Sequence, residues 1–370
     1  MEPSKAARQF DVKGRLVHVN SIGRGNVNDT YEAVFRNGGA VERIIIQRVN
    51  SRVFMRPEWI MDNMRRVTDH VWSKLESEPP DREREWGIPQ VVLTRGGTDY
   101  IHAPDGEYWR ALTVIDEATA HPKVRNAEHA YELGTVLGCF HRLIGDLDCA
   151  SLHDTLPGFH VTPAYLAKYD RTLAENGLQE RLEGVPDVER LHRFVEKRRA
   201  IAPVLENALG AAELQARPIH GDPKVDNIMI DDFTGYGIGI IDLDTVKPGL
   251  LHYDFGDALR SACNPAGEDE TDLATVYFDI NLCRAFVKGY MGQARAVLSE
   301  GDRNYLYDSI RLLAFELGLR FFQDYLAGDV YFKVRFEEHN LNRAKVQFKL
   351  CESIEANESA IRDALRAAER

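Results

Sequence analysis

The sequence has few cysteines, no long apolar segment and fewer basic than acidic side chains. Its 5 cysteines are scattered without a CxxC pair, and this odd, dispersed set predicts reduced thiols rather than a disulfide framework. The N-terminal residues MEPSKAARQF lack the apolar region of a signal peptide. The most apolar stretch nearby, residues 43–49, is far shorter than the roughly 20 residues that a membrane helix needs. These absences predict a cytoplasmic protein in a reducing compartment.

The charge balance restricts the possible partners. The 46 basic and 58 acidic side chains give a net charge of −12, which repels phosphate backbones and anionic lipid surfaces. We therefore expect neither nucleic acid nor a membrane as a partner. With 370 residues, at roughly 150 per domain, the chain has room for two or three domains. Contents of 44% hydrophobic and 28% charged residues are typical of a soluble globular protein.

The two parts of the chain show different periodicities. Residues 15–115 contain short β-branched runs separated by glycine-rich turns, with one helical pattern over residues 57–75. After residue 116 the apolar spacing is mostly helical, except for strand-like segments between residues 218 and 244. We predict an α+β, two-lobed fold, with a small antiparallel sheet lobe (residues 1–116) and a large, mainly helical lobe (residues 117–370).

The helical predictions in the second lobe follow from this apolar spacing. They cover Ala127–Leu143, Pro163–Leu173, Val188–Leu209, Leu273–Leu298, Arg303–Leu326 and Leu341–Leu365.

The strongest chemical signal is a loop followed by a predicted β-hairpin. The loop contains His220, Asp222 and Asn227, and the second strand of the hairpin ends in Asp242 and Asp244. A hairpin returns the chain so that Asp242 stands beside Asn227, where carboxylate and amide oxygens suit Mg²⁺. Asp222 then remains free to accept the proton of an attacking hydroxyl, which is the division of labour in a kinase. Asp244 is either a second metal carboxylate or faces away, and His220 is predicted to support the loop.

A glycine turn lies upstream, between two predicted strands. Gly23, Gly25, Asn26 and Asn28 would let backbone N–H groups approach nucleotide phosphates. A plain hairpin turn is the alternative. No Gly-Lys-Ser/Thr follows, which excludes a Walker A loop, and the next segment is a strand, which excludes a Rossmann fingerprint.

Two further positions need separate treatment. A kinase places a lysine on the third strand against the phosphates, and here that position falls on Gln47 or Arg48. Neighbouring strand residues face opposite sides, so the sequence leaves this choice open. Asp254 opens an Asp-Phe-Gly triplet that lies too far beyond the hairpin for the metal, and we predict that it either caps the helix running to Ser261 or braces the catalytic loop.

These motifs resemble those of the aminoglycoside phosphotransferase and choline kinase superfamily, relatives of the protein kinases, and within it those of the N-acetylhexosamine 1-kinases. The similar segments are residues 25–31, 46–54, 241–249, 253–257 and 318–332. The resemblance implies that Asp222 is the catalytic base and that Asn227 and Asp242 bind Mg²⁺. It also implies that residues 23–28 form the phosphate loop, and that Arg320 and Tyr331 hold a sugar.

One departure concerns the acceptor pocket. The hexosamine kinases carry Asn and Thr on either side of the catalytic aspartate, where this chain has Gly221 and Pro223. We expect an ATP- and Mg²⁺-dependent kinase that acts on the anomeric hydroxyl of an N-acetylhexosamine. The alternatives are transfer to an aminoglycoside, choline or another small alcohol, and a nucleotide-binding regulator that has lost catalysis.

Overall fold

A six-stranded antiparallel sheet forms the first lobe of the computed structural model, which describes residues 1–22, 27–77, 84–175 and 186–369. Its strand order is β1-β2-β3-β6-β4, and β5 pairs with β6. Alternate residues of β2 and β3 are buried, as expected for a sheet with one covered face. The strands are β1 (Arg15–Ser21), β2 (Asp29–Asn37), β3 (Ala40–Val49), β4 (Val91–Val92), β5 (Ile101–His102) and β6 (Tyr108–Thr113).

One long helix of the first lobe, α2 (Pro57–Ser77), contacts the second lobe. Proline at its first position fits the helix start, where a missing N–H costs nothing. The buried Asn63 donates from its amide nitrogen to the carbonyl oxygens of His153 at 2.8 Å and Val246 at 2.9 Å. Because both acceptors belong to the second lobe, Asn63 fastens α2 to it.

The second lobe is mainly helical. Its helices in chain order, after the short N-terminal α1 (Pro3–Ala7) and α2, are α3 (Ala127–Ile144), α4 (Thr162–Glu175), α5 (Pro186–Arg198), α6 (Val204–Gly210), α7 (Leu251–Ala262), α8 (Ile280–Ala294), α9 (Glu300–Asn304), α10 (Leu306–Ala327), α11 (His339–Ala356) and α12 (Glu358–Ala368).

Helices α3 and α8 cross at very short range. A Cβ atom on Gly134 would lie 2.0 Å from the carbonyl oxygen of Phe286, and one on Gly289 would lie 2.1 Å from that of Tyr131. Only glycine permits this backbone approach, which makes the α3–α8 pair a rigid support beneath the site.

Two small sheets lie between the lobes. A three-stranded sheet has the order β10-β9-β7, and β11 pairs with β8. The chain leaves the first sheet at Thr113 and joins the three-stranded sheet at Ala118, so residues 114–117 connect the lobes. These strands are β7 (Ala118–Ala120), β8 (Arg217–Ile219), β9 (Ile228–Asp231), β10 (Gly237–Ile240) and β11 (Lys247–Gly249).

The predicted α+β, two-lobed fold is confirmed, and the differences are local. The helix predicted over 188–209 is interrupted after Arg198, before Pro203, which has no N–H for a helical bond. The helix predicted over 341–365 breaks at Asn357, whose side chain donates to the carbonyl oxygen of Ser353. The helix predicted from Leu273 begins only at Ile280, because the Asp279 side chain caps it there.

Four of the five cysteines are buried, and Cys149 is partly exposed. Within the described ranges, no helix combines the length and the apolar character needed to cross a bilayer.

Candidate active site

The loop that follows β8 is held from below by one buried carboxylate. Asp254, on α7, accepts the backbone N–H groups of His220 and Gly221, each at 2.7 Å, and contacts His141 Nε2 at 2.9 Å. Burial lowers the pKa of His220, so its ring is neutral. Its Nε2 donates to the carbonyl oxygen of Ile241 at 3.0 Å, and its Nδ1 accepts from the backbone of Asp222 at 3.2 Å. His220 and Asp254 therefore fix the backbone of the loop on both sides of Gly221.

Gly221 makes a close backbone contact that no other residue would allow. Its φ is +88°, and an added Cβ would lie 2.6 Å from the carbonyl oxygen of Thr245. Thr245 Oγ1 donates to the carbonyl oxygen of His220 at 2.8 Å, and His160 Nε2 lies 2.7 Å from that of Gly221. This packing accounts physically for glycine, rather than asparagine, before Asp222.

Asp222 forms an ion pair with a lysine of its own loop. Lys224 Nζ lies 3.0 Å from Asp222 Oδ2. The charge of Asp222 is the main cause that raises the pKa of Lys224 above its usual range. The Asp222 side chain keeps a solvent-accessible fraction of 29%, so an acceptor can reach it.

The hairpin brings Asn227 and Asp242 together. Ile228 and Ile240 are register partners, and the N–H of Ile241 donates to the carbonyl oxygen of Asn227 at 2.9 Å. The amide nitrogen of Asn227 donates to the carbonyl oxygen of Asp222 at 2.7 Å, which leaves its amide oxygen to face a cation. Asp242 follows directly, with φ +65°, in the left-handed region that aspartate adopts more readily than most non-glycine residues.

The electrostatics of Asp242 fit a divalent cation. Solvent reaches this side chain along the cleft, yet the surrounding protein removes much of its hydration. This desolvation, followed by the charge of Asp244, raises the pKa of Asp242 to about 7. Among the described residues, no three histidine, cysteine or carboxylate side chains form a ready-made metal cluster. The amide oxygen of Asn227 and the carboxylate of Asp242 are of the oxygen type that Mg²⁺ prefers, and such sites are commonly completed by substrate phosphates.

Asp244 links the two lobes. Its Oδ2 accepts the side-chain N–H of Asn28 at 2.5 Å, and its Oδ1 is ion-paired with Arg110, both side chains being buried. Asn28 Oδ1 in turn accepts the backbone N–H of Asn50 at 2.9 Å. Asn28, at the end of the predicted glycine turn, therefore contacts residues 242–244, which we call the acidic loop. The predicted phosphate-binding positions Gly23, Gly25 and Asn26 lie outside the described residues.

The two residues left open on β3 face opposite sides. Arg48 Nε donates to Asp29 at 2.9 Å and its Nη1 to Glu107 at 2.5 Å, at a half-exposed edge. Gln47 instead contacts Arg110, on β6. Arg48 thus has its charge neutralised by two carboxylates, and Gln47 is the residue turned toward Asp244.

Aromatic rings surround Arg320, which the sequence predicts to hold the acceptor. The Arg320 guanidinium is 5.1, 4.9 and 5.5 Å from the ring centres of Phe159, Tyr165 and Phe332. It has no hydrogen-bond or ion-pair partner within the described part of the chain. Asp257 interacts electrostatically with Arg320 and also with Lys224, which is the ion-pair partner of Asp222. These interactions connect the Arg320 cluster with Asp222.

Tyr331 lies on the loop that follows α10. The backbone N–H groups of Val330, Tyr331 and Phe332 all donate to the buried carboxylate of Asp324, at 3.1, 2.8 and 2.9 Å. The Tyr331 ring is 53% exposed and lies 6.0 Å from Lys168 Nζ. Asp324 therefore sets the position of an exposed tyrosine beside the Arg320 cluster.

Sequence reasoning missed Lys224 and Arg110. A cation two residues after Asp222, inside the same loop, was a readable signal for Lys224. Arg110 had no local signal, because it meets Gln47 and Asp244 only through strand pairing and interlobe packing.

A depression of about 740 Å³, lined by Trp72, Trp86 and Tyr236 among others, contains none of the site residues.

Comparison with known proteins gives one family match. A profile described as "Phosphotransferase enzyme family" matches residues 18–289. An aminoglycoside phosphotransferase from Alicyclobacillus acidocaldarius superposes with a TM-score of 0.60 at 13% identity, covering 99% of this chain and 97% of that one. A microcompartment-associated aminopropanol kinase gives 0.53 at 16% identity, covering 97% of each chain. A choline kinase from Cryptosporidium parvum gives 0.53 at 14% identity, covering 93% and 91%. At these identities the structures show a shared fold.

Proposed function

The chain belongs to the phosphotransferase enzyme family, and we propose that it is an ATP- and Mg²⁺-dependent kinase for the anomeric hydroxyl of an N-acetylhexosamine. The observation that carries the kinase chemistry is the convergence of Asp222, Asn227 and Asp242, joined by the Asn227–Asp222 hydrogen bond at 2.7 Å. Asp222 accepts the proton of the attacking hydroxyl, and Asn227 and Asp242 provide oxygens for the metal. Magnesium held there would offset the negative charge on the nucleotide phosphates.

Lys224 supports both steps. Its 3.0 Å ion pair orients the Asp222 carboxylate, and its charge lies next to the position where a transferred phosphoryl group must pass. The barrier is then lowered by positioning and by fixed charges, without a covalent intermediate on the protein.

The acceptor preference rests on the Arg320 cluster. A guanidinium with free N–H groups can donate to a sugar hydroxyl or to the acetamido carbonyl, and it repels a cationic acceptor. The aromatic rings around it hold its plane without using its donors. Tyr331 is exposed enough to cover the apolar face of a pyranose. These features favour a neutral sugar over an aminoglycoside or choline.

An acceptor panel tests this proposal. The enzyme with Mg²⁺ and ATP is incubated with N-acetylglucosamine, N-acetylgalactosamine, kanamycin, choline and ethanolamine, and products are followed by ³¹P NMR. The methyl glycoside of each reactive sugar serves as the matched control, because its anomeric oxygen is blocked. We expect transfer to a free N-acetylhexosamine and none to its methyl glycoside. Transfer to kanamycin or choline alone would contradict the sugar assignment, and nucleotide binding without any transfer would favour the regulator.

A further inference from the structure

We propose that Arg110, on β6, supplies the cation that binds the nucleotide phosphates, in the place that kinases give to a lysine on β3. The inference rests on the proposed function, since it assumes that a nucleotide occupies the cleft. It concerns a residue that no motif in the sequence indicates. Its basis is the pairing of Arg110 with Gln47, its burial, and an unsatisfied donor.

The first argument is strand register. Gln47 and Arg110 are direct partners in the β3–β6 pairing, so their side chains project from the same face of the sheet. Gln47 Oε1 accepts from Arg110 Nε at 2.9 Å and from Nη2 at 2.7 Å, while Gln47 Nε2 donates to Thr30 Oγ1 at 3.1 Å. Gln47 therefore acts as a clamp that fixes the guanidinium.

The second argument is an unpaired donor. The Arg110 side chain is fully buried, with 0% exposure. Its Nη2 also contacts Asp244, but its Nη1 has no hydrogen-bond partner within the described ranges. A buried cation with an unsatisfied N–H is costly unless a further acceptor arrives. Asp244 Oδ1, which Arg110 contacts, also has no hydrogen-bond partner within these ranges, and a nucleotide phosphate that displaces the atoms covering Nη1 would add an anionic acceptor beside it.

The third argument is location. Asp244, the partner of Arg110, lies two residues after Asp242 and also accepts from Asn28 at the end of the glycine turn. Arg110 therefore stands where the turn and the acidic loop meet. The competing cation, Arg48, is 42% exposed and pairs with two carboxylates of the first lobe, Asp29 and Glu107, whereas the carboxylate paired with Arg110 is Asp244, two residues after Asp242.

The first experiment compares Arg110→Met with Arg48→Met, and uses Arg43→Met as the matched control. Arg43 is an exposed arginine of the same β3 strand that also pairs with two carboxylates, Glu32 and Asp116. Binding of Mg²⁺ with the non-hydrolysable analogue AMP-PNP is measured by calorimetry, and binding of adenosine is measured by competition. We expect Arg110→Met to weaken AMP-PNP binding about 10- to 100-fold, the loss typical of a hydrogen bond to a charged group. We expect its adenosine affinity, and both affinities of the control, to change less than about twofold.

A charge relocation separates a phosphate contact from a purely structural role. The double variant Gln47→Lys with Arg110→Gln moves the cation to the partner position on β3, and Arg110→Lys keeps it on β6. Both are expected to recover at least about tenfold of the AMP-PNP affinity lost in Arg110→Met. If Arg110 only maintains the fold, adenosine and AMP-PNP binding would weaken together and relocation would not restore them.

Two other results distinguish a failure of this inference from a failure of the proposed function. Unchanged AMP-PNP binding in Arg110→Met, with a loss in Arg48→Met, would overturn the inference and leave the proposed kinase intact. If the wild-type protein binds no Mg²⁺–AMP-PNP, the proposed function fails, and the inference fails with it.

Discussion

Asn28 donates its side-chain N–H to Asp244 across 2.5 Å, and this bond joins the end of the glycine turn to the acidic loop of the helical lobe. Both side chains are buried, with exposures of 8% and 3%. A nucleotide between the lobes would therefore meet a loop whose end is already positioned.

Removing the hydrogen bond between Asn28 and Asp244 should raise the KM for ATP more than it lowers kcat. Asn28→Ala is expected to raise the KM for ATP about 3- to 10-fold, the loss typical of one hydrogen bond to a charged group, because the turn loses its anchor. Steady-state kinetics with varied ATP check this, with Asn20→Ala on the exposed part of β1 as the control. An unchanged KM would show that the bond does not position the turn.

Gly221→Ala should disable the catalytic loop. Alanine at φ +88° costs about 1–2 kcal/mol in backbone energy, and its Cβ would also meet the Thr245 carbonyl oxygen at 2.6 Å. We expect kcat to fall at least about 100-fold, because a shift of about 1 Å in Asp222 is enough for such a loss.

Gly235→Ala is the matched control for Gly221→Ala. Gly235 has φ +75°, but an added Cβ has nothing within 4 Å, so this variant bears only the backbone strain. Chemical denaturation and kinetics on both variants separate the two effects. Equal activity in both would mean that the contact with Thr245 is unimportant.

Asp242→Asn should raise the stability of the metal-free protein and lower its activity. The pKa of Asp242 is raised to about 7, so its ionised form is disfavoured in the folded protein. Stability without metal therefore falls as pH rises from the unfolded pKa, about 3.9, through about 7, because the folded state binds the proton more tightly. Asparagine removes this penalty, and its Tm should exceed the wild-type Tm at pH 8 by more than at pH 5.

The same variant should lose at least about 100-fold in kcat, since it lacks the carboxylate that we propose holds the metal. Thermal melts in chelator at both pH values, combined with turnover in excess Mg²⁺, test the pair of effects. A wild-type Tm that stays above that of the variant at pH 8 would contradict the electrostatic account of Asp242.

Arg320→Met should act on the acceptor alone. With its guanidinium removed, we expect the KM for the sugar to rise about 10-fold or more and the KM for ATP to stay within about twofold. Arg311→Met is the control, because Arg311 lies on the same helix and also stacks on a tyrosine, but is paired with Asp308. Improved use of choline in Arg320→Met would further support charge-based exclusion of cationic acceptors.

The sequence predicted the features that depend on local patterns. Alternation in β2 and β3, the apolar spacing of α2, and the Asp222–Asn227 spacing with its return hairpin all reflect near neighbours in the chain. Because these contacts are local, residue types and the spacing of apolar residues are enough to predict them.

The features that escaped prediction depend on packing between distant segments. Arg110 lies 63 residues from Gln47, and Asn63 lies 183 residues from Val246, yet each pair is in hydrogen-bond contact. Which of Gln47 and Arg48 faces the cleft follows from the partner strand β6, which a single-strand pattern cannot reveal. The helix breaks at Arg198 and Asn357 are an exception, because they come from local residues that interrupt a continuous apolar stripe.

The role of Asp222 as the base is the central claim, and the Asp222→Asn variant tests it most directly. Asparagine keeps the shape of the side chain but cannot accept the proton, so kcat should fall about 100- to 10,000-fold while ATP binding changes little. Single-turnover transfer to the best acceptor of the panel, measured beside ATP titration of the same variant, gives both quantities. Turnover near the wild-type rate in Asp222→Asn would contradict the account.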